Sequence, residues 1–347
     1  MRSSTFSFDR ANAGFGVKPV AFGLIFGVLV LLVIEYSWRQ HGATPGYVDS
    51  KPRWSWVRSQ VSEQQGVVLL GASRMHFGFS LAAFRDRYPG TPVHQLAVAG
   101  SWPYASLRDL ARDEDYRGLT LISFTPDIIL PFRHEDQTPY VDHYRKRWNI
   151  DVLLNFLAGS LAEKLMVTRH HNYGINTLAQ SLVRTGNLPA SELYLATRFD
   201  REIDADYSME DIEQHQIRRV SEATSLYDDL YPISTDRWRS ELSTFLEYVR
   251  TINDRGGCVI AIRFPSQGTL YQSEQQLFPK HDFWSVLEAT PYLGTVHFDD
   301  INDIEDFDLP DYQHVDESDK YEFTVALLDK IEQTAASIVD GGCAIAK

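Results

Sequence analysis

The chain has 347 residues, of which 44% are hydrophobic and 23% charged, and its formal net charge is -14. That length holds one large domain, or one domain with an insertion, and the apolar fraction argues against global disorder. The acidic balance argues against a nucleic-acid partner, because binding phosphates needs clustered Lys and Arg.

Residues 1–17 read as a polar tail carrying Arg2 and Arg10. The segment 18–38 is apolar from Pro19 to Ile34, with Lys18 at one end and Tyr36 and Trp38 at the other. As a helix it would rise ~30 Å, enough to cross a bilayer, with its aromatics at the interface. A cleaved signal peptide is the rival reading, but the run is longer than a signal core and no small-x-small site follows. Three cations precede the span and Arg39 stands alone after it, so the positive-inside bias places the N-terminus in the cytoplasm and the C-terminal domain outside. Residues 39–64 then read as a linker and a lead-in helix.

Beyond residue 65, strands and helices alternate. Strands are expected at Val67–Leu70, Val93–Val98 and Leu119–Phe124, with helices at Ser80–Tyr88 and Tyr104–Asp113 between them. From about 131 to 236 the pattern gives way to helix-prone sequence without obvious strands, best at Val152–Val167. This insertion either borders a site or is a solvated annex. Alternation resumes with a helix at Arg237–Asn253, a strand at Cys258–Arg263, a helix at Phe283–Ala289, a strand at Gly294–Phe298 and a closing helix at Glu317–Val339. Such alternation implies a parallel sheet with helices on both faces. The two cysteines, Cys258 and Cys343, lack metal-ligand spacing. A disulfide between them is open but not suggested.

Three places carry chemistry. Gly71-Ala72-Ser73-Arg74 follows the first strand, where open α/β sheets place their ligands. Gly71 permits a tight turn, and Ser73 would begin a helix, where N–H groups and the dipole stabilise negative charge. A serine N-cap without chemistry gives the same pattern. Gly100, after the second strand, would bring a backbone N–H close to a ligand, or is a plain turn glycine. Asp311-Tyr312-Gln313-His314 precedes the closing helix, and three-residue spacing lets Asp311 hold one ring nitrogen of His314 while the other faces Ser73. The acidic run upstream of Asp311 is otherwise a solvated surface, and it lacks the spacing of a calcium loop.

These blocks, in this order, resemble the SGNH (GDSL-like) hydrolase superfamily, across roughly Gly66 to Asp127 and Arg237 to Ala335. The resemblance implies a three-layer α/β/α, flavodoxin-like domain over residues 65–340. It implies Ser73 as nucleophile, His314 as base, Asp311 as orienting acid, and the Ser73 and Gly100 N–H groups as oxyanion donors. The layout is similar to membrane-anchored bacterial envelope members of the D-alanyl transfer and polysaccharide O-acetylation type. Acylated glycans or lipid-linked glycans are then the expected substrates, with no cofactor or metal, and a membrane acyltransferase is the conceivable partner. The superfamily's third block carries an asparagine; here Ser123-Phe124-Thr125-Pro126-Asp127 offers Thr125 instead. That departure leaves open a non-catalytic, SGNH-fold assembly subunit. Arg263 would bind an anionic substrate group or form a structural ion pair, and Arg74 would do similar work or simply be solvent-exposed. Adjacent His170 and His171 point too far apart to share an ion, and His76 is read as a packed or surface histidine.

Overall fold

A computed structural model describes residues 17–186, 193–230, 234–302 and 304–338. The tail carrying Arg2 and Arg10, and Cys343, lie outside the described residues. The chain forms two compact units, one of Met1–Pro45 with Leu165–Glu192, the other of Gly46–Lys164 with Leu193–Lys347.

In the first unit, helix α1 (Val17–Gln40) carries an 18-residue window of mean hydropathy 2.3, none of it buried, so it is long and apolar enough to cross a membrane. Its polar end is tied down. The Glu35 carboxylate accepts the backbone N–H groups of Val167 (2.8 Å) and Thr168 (3.0 Å), and Arg39 donates to the Leu165 carbonyl at 2.8 Å. Trp38 packs on Tyr173 with ring centroids 5.1 Å apart.

The second unit opens with α2 (Lys51–Gln64), capped by the Ser50 hydroxyl on Arg53 N–H, with a proline in the first turn. There follow β1 (Val67–Leu70), α3 (Ser73–Gly78), α4 (Leu81–Arg87), β2 (Val93–Gln95), α5 (Tyr104–Ala111) and β3 (Leu119–Ser123). The insertion supplies α6 (Thr138–Arg147) and α7 (Ile150–Leu165), whose last residue falls in the first unit together with α8 (Ile175–Thr185). It continues with β4 (Leu195–Thr197), β5 (Ile203–Ala205) and α9 (Ile212–Leu230). The chain ends through α10 (Thr235–Asn253), β6 (Cys258–Arg263), α11 (Gly268–Leu277), α12 (Trp284–Glu288), β7 (Gly294–His297) and α13 (Lys320–Ser337).

Five strands form one parallel sheet in the order β2-β1-β3-β6-β7. Their side chains alternate between two apolar clusters. Val68, Leu70, Ile122, Val259 and Ala261 face α2, α5, α10 and α12, whereas Val67, Leu69, Leu121, Ile260 and Ile262 face α4 and α13. Burial on both faces explains why these strands read as unbroken apolar runs. Chain order reverses at β1, whose neighbours β2 and β3 are the next two strands, so the carboxyl end of β1 is the switch point at which such sheets leave a crevice.

The insertion departs from the expectation of no strands. β4 and β5 form a short antiparallel ribbon, Leu195 opposite Ala205, which packs with Tyr207 on Phe77 of α3. Cys258 is disulfide-bonded.

Candidate active site

Ser73 is the first residue of α3, directly beyond the carboxyl end of β1. Gly71 makes that turn possible: a Cβ there would lie 2.7 Å from Met75 Cβ and 2.8 Å from Ser123 Cβ. The Gly71 carbonyl accepts from Val98 N–H and Gln137 Nε2, each at 3.0 Å. α3 is fixed further by buried His76, whose Nε2–H donates to the Arg201 carbonyl at 2.8 Å. Burial foremost pushes that imidazole down to about 4, so it is neutral at pH 7. His76 is a packed histidine.

Opposite Ser73 stands the loop between β7 and α13. His314 Nε2 lies 2.7 Å from Ser73 Oγ, and its Nδ1 lies 2.8 Å from Asp311 Oδ2. Asp311 is wholly buried and His314 is 1% exposed. A buried carboxylate needs donors, and Asp311 has five. Its Oδ1 accepts the backbone N–H of His314 (3.0 Å) and Gln313 (3.3 Å). Its Oδ2 accepts His314 Nδ1–H, the Tyr207 hydroxyl (3.2 Å) and Arg219 Nε (3.2 Å). Burial alone would raise this carboxyl; His314 and then Arg219 outweigh it and hold Asp311 well below the usual carboxylate range. Because ionised Asp311 only accepts, His314 carries its proton on Nδ1 and turns the Nε2 lone pair toward Ser73. For His314 itself, burial lowers the imidazole and outweighs the Asp311 charge that raises it. A neutral base, a hydroxyl within its reach and a fixed acid make a hydrogen-bonded Ser–His–Asp chain.

Two of the Asp311 donors come from the insertion. Tyr207 follows β5 and Arg219 lies on α9. The insertion also grips the loop by its backbone: Gln216 Nε2 donates to the Pro310 carbonyl at 2.7 Å, and Tyr207 N–H to Asp316 Oδ2 at 2.9 Å. Tyr207 stacks on the His314 ring at 6.3 Å, while Phe77 tilts against it at 5.2 Å. The insertion therefore borders the site rather than standing apart from it. Nothing in the sequence of α9 marks Arg219, which sits beside Arg218 in a helix whose charges read as solvated.

Of the other expected site residues, Arg74 adjoins Ser73 and donates to Gln313 Oε1 at 3.1 Å. Gly100 is exposed and adopts φ +70°, the left-handed conformation glycine tolerates, and a Cβ there would meet nothing within 4 Å. The Thr125 hydroxyl bonds the Asp127 carboxyl, which burial pushes up and which also accepts Trp102 Nε1–H at 3.0 Å. Arg74 and Arg263 converge on the buried Glu274 carboxylate of α11, at 2.7 and 2.5 Å. Burial works against that carboxylate, but Arg263 and Arg74 hold it at about 2. The two arginines are thus partners of one internal acid, which is the structural reading of Arg263, while Arg74 is paired with it rather than solvent-exposed. Burial foremost also pushes His170 down to about 4; no group of three His, Cys, Asp or Glu among the described residues could hold a metal.

The fold and site together define an α/β protein with a Ser–His–Asp chain at the switch point of its parallel sheet. No protein-family model matches the chain, and no curated protein does.

Proposed function

We propose that this protein is a membrane-anchored serine esterase or acyltransferase of the SGNH type, acting on acyl esters of an envelope glycan or lipid-linked glycan. One observation carries the reading: Ser73 Oγ lies 2.7 Å from His314 Nε2 while Asp311 Oδ2 holds the other ring nitrogen at 2.8 Å. Counting only the strands of the sheet, the order is 2-1-3-4-5, which is the flavodoxin-like order. α1 supports the anchor. The disulfide-bonded Cys258 supports an oxidising compartment, and so an exported C-terminal domain.

The chemistry follows from these positions. Ser73 Oγ attacks the acyl carbonyl carbon as its proton passes to His314 Nε2, and Asp311 stabilises the imidazolium. The oxyanion forms beside the first turn of α3, where the Ser73 N–H belongs to the helix-start donors without intrahelical partners. The leaving alcohol takes the proton from His314. A water or a sugar hydroxyl then gives its proton to His314 and attacks the acyl carbon, and Ser73 Oγ leaves as it takes that proton back from His314.

The test is fluorophosphonate labelling of the full chain in detergent, beside folded Ser73→Ala and His314→Ala variants. Labelling lost in both variants supports the esterase reading, and a folded wild type that never labels sinks it. A second reading, an assembly subunit beside a membrane acyltransferase, is favoured by Thr125 standing where the superfamily carries asparagine, with its hydroxyl bonded to Asp127.

A further inference from the structure

Among the described residues, nothing covers one apolar face of α7. Ile150, Leu154, Leu157, Leu161 and Leu165 recur every three or four residues and so share one side of the helix. Each is between 43% and 65% exposed. Single exposed leucines need no explanation, but a continuous stripe along 16 residues does. The opposite side is occupied: Phe156 and Ser160 are buried, and Glu163 pairs with Arg53. The stripe is therefore a surplus face, not a loosely packed core helix.

Two further observations say what covers it. Its last residue is tied to the polar end of α1: the Leu165 carbonyl accepts from Arg39 at 2.8 Å, and Glu35 holds Val167 and Thr168 just beyond. α1 is long and apolar enough to span a bilayer, and Leu165, the last residue of the stripe, lies beside its polar end. The helix is also framed by exposed cations, Arg147 before it, Lys164 in its last turn and Arg169 after it, in a chain of net charge -14. Aliphatic side chains on one face with Lys and Arg at its borders suit the boundary between anionic headgroups and acyl chains.

We propose that this face of α7 lies in the headgroup–acyl boundary of the bilayer that α1 crosses, making α7 an interfacial helix. The protein then meets the membrane twice, through a span and through a helix lying on the surface. This inference uses no part of the Ser73 site, and its test reads no enzymatic activity.

The experiment places a single NBD fluorophore at Leu157→Cys or Leu161→Cys in the full chain, reconstituted into vesicles of phosphatidylcholine and phosphatidylglycerol. Both positions are exposed, so the labels leave the core intact, and Glu114→Cys serves as a water-facing reference. The expected result is blue-shifted emission at both α7 positions, quenched by nitroxide attached high on the lipid acyl chain, with neither effect at Glu114→Cys. Emission as in water at both positions overturns the proposal. Blue-shifted emission that lipid nitroxide does not quench also overturns it, because another protein or a second copy then covers the stripe.

Discussion

Replacing Asp311 by asparagine keeps the shape of the side chain and removes one acceptor. Two acceptor oxygens currently serve five donors, two backbone N–H groups on Oδ1 and the His314, Tyr207 and Arg219 donors on Oδ2. Asparagine has one acceptor oxygen and one NH2 group. If its oxygen keeps the two backbone N–H groups, the NH2 faces three donors. The Tyr207 hydroxyl can rotate to accept from the NH2, and the imidazole adapts by moving its proton from Nδ1 to Nε2, after which it offers Ser73 a proton instead of a lone pair. If the amide flips, two buried backbone N–H groups oppose the NH2, so this state is the less favourable one. Locking the wrong tautomer costs ~10⁴ in rate, about 5.4 kcal/mol in barrier. The assay is the second-order rate of fluorophosphonate modification of the full chain, followed by intact mass, with circular dichroism and a thermal melt to establish folding. A folded Asp311→Asn protein that is modified within tenfold of the wild-type rate would refute the role given to Asp311.

Other expectations concern titration and the buried charges. Because burial lowers His314 from its ordinary 6.5, the modification rate should rise through an inflection below that value as pH increases. Arg219 opposes protonation of His314, so Arg219→Met should move the inflection upward; an unmoved or lowered inflection contradicts the clamp. Arg201 is completely buried and bonds Asp49 and the carbonyls of Gln95 and Ala97, so Arg201→Met should cost about 3–5 kcal/mol in urea denaturation. His76, His170 and His297 are each held at about 4, first of all by burial, so the unfolded chain binds more protons between 6.5 and 4. Stability is therefore complete above 6.5 and lost as pH falls toward 4, and the melting temperature at pH 5 should lie below that at pH 7. The carboxylates Glu135 and Glu274, held at about 2, contribute their loss only at lower pH.

What could be read from the sequence was local. Val67–Leu70 and Cys258–Arg263 are apolar runs cut off by glycine or proline, and both are strands at those residues because both of their faces are buried. Ser73 was legible from its place after such a strand, and Asp311 with His314 from their three-residue spacing. The ribbon of β4 and β5 was not, since three-residue strands show barely one period of alternation. α11 was missed because Gly268–Leu277 is mostly polar, although its Glu274 is what neutralises Arg74 and Arg263. Arg219 and Tyr207 lie 92 and 104 positions from Asp311, a distance over which no periodicity speaks. Gly100, exposed at φ +70°, was legible as a glycine after a strand, whereas Thr125 came from family resemblance and its hydroxyl bonds Asp127.

Ser73 and His314 meet across 241 positions of chain. Synthesis runs from the N-terminus, so every nascent chain displays its serine long before the ribosome has made the imidazole that bonds it. The ribbon and α9, which seat Asp311, emerge in the interval, and the loop bearing His314 follows them. The imidazole beside Ser73 thus exists only in chains extended past His314. Products stalled before His314 carry the serine without that partner, so labelling that depends on His314 would report only chains extended past it.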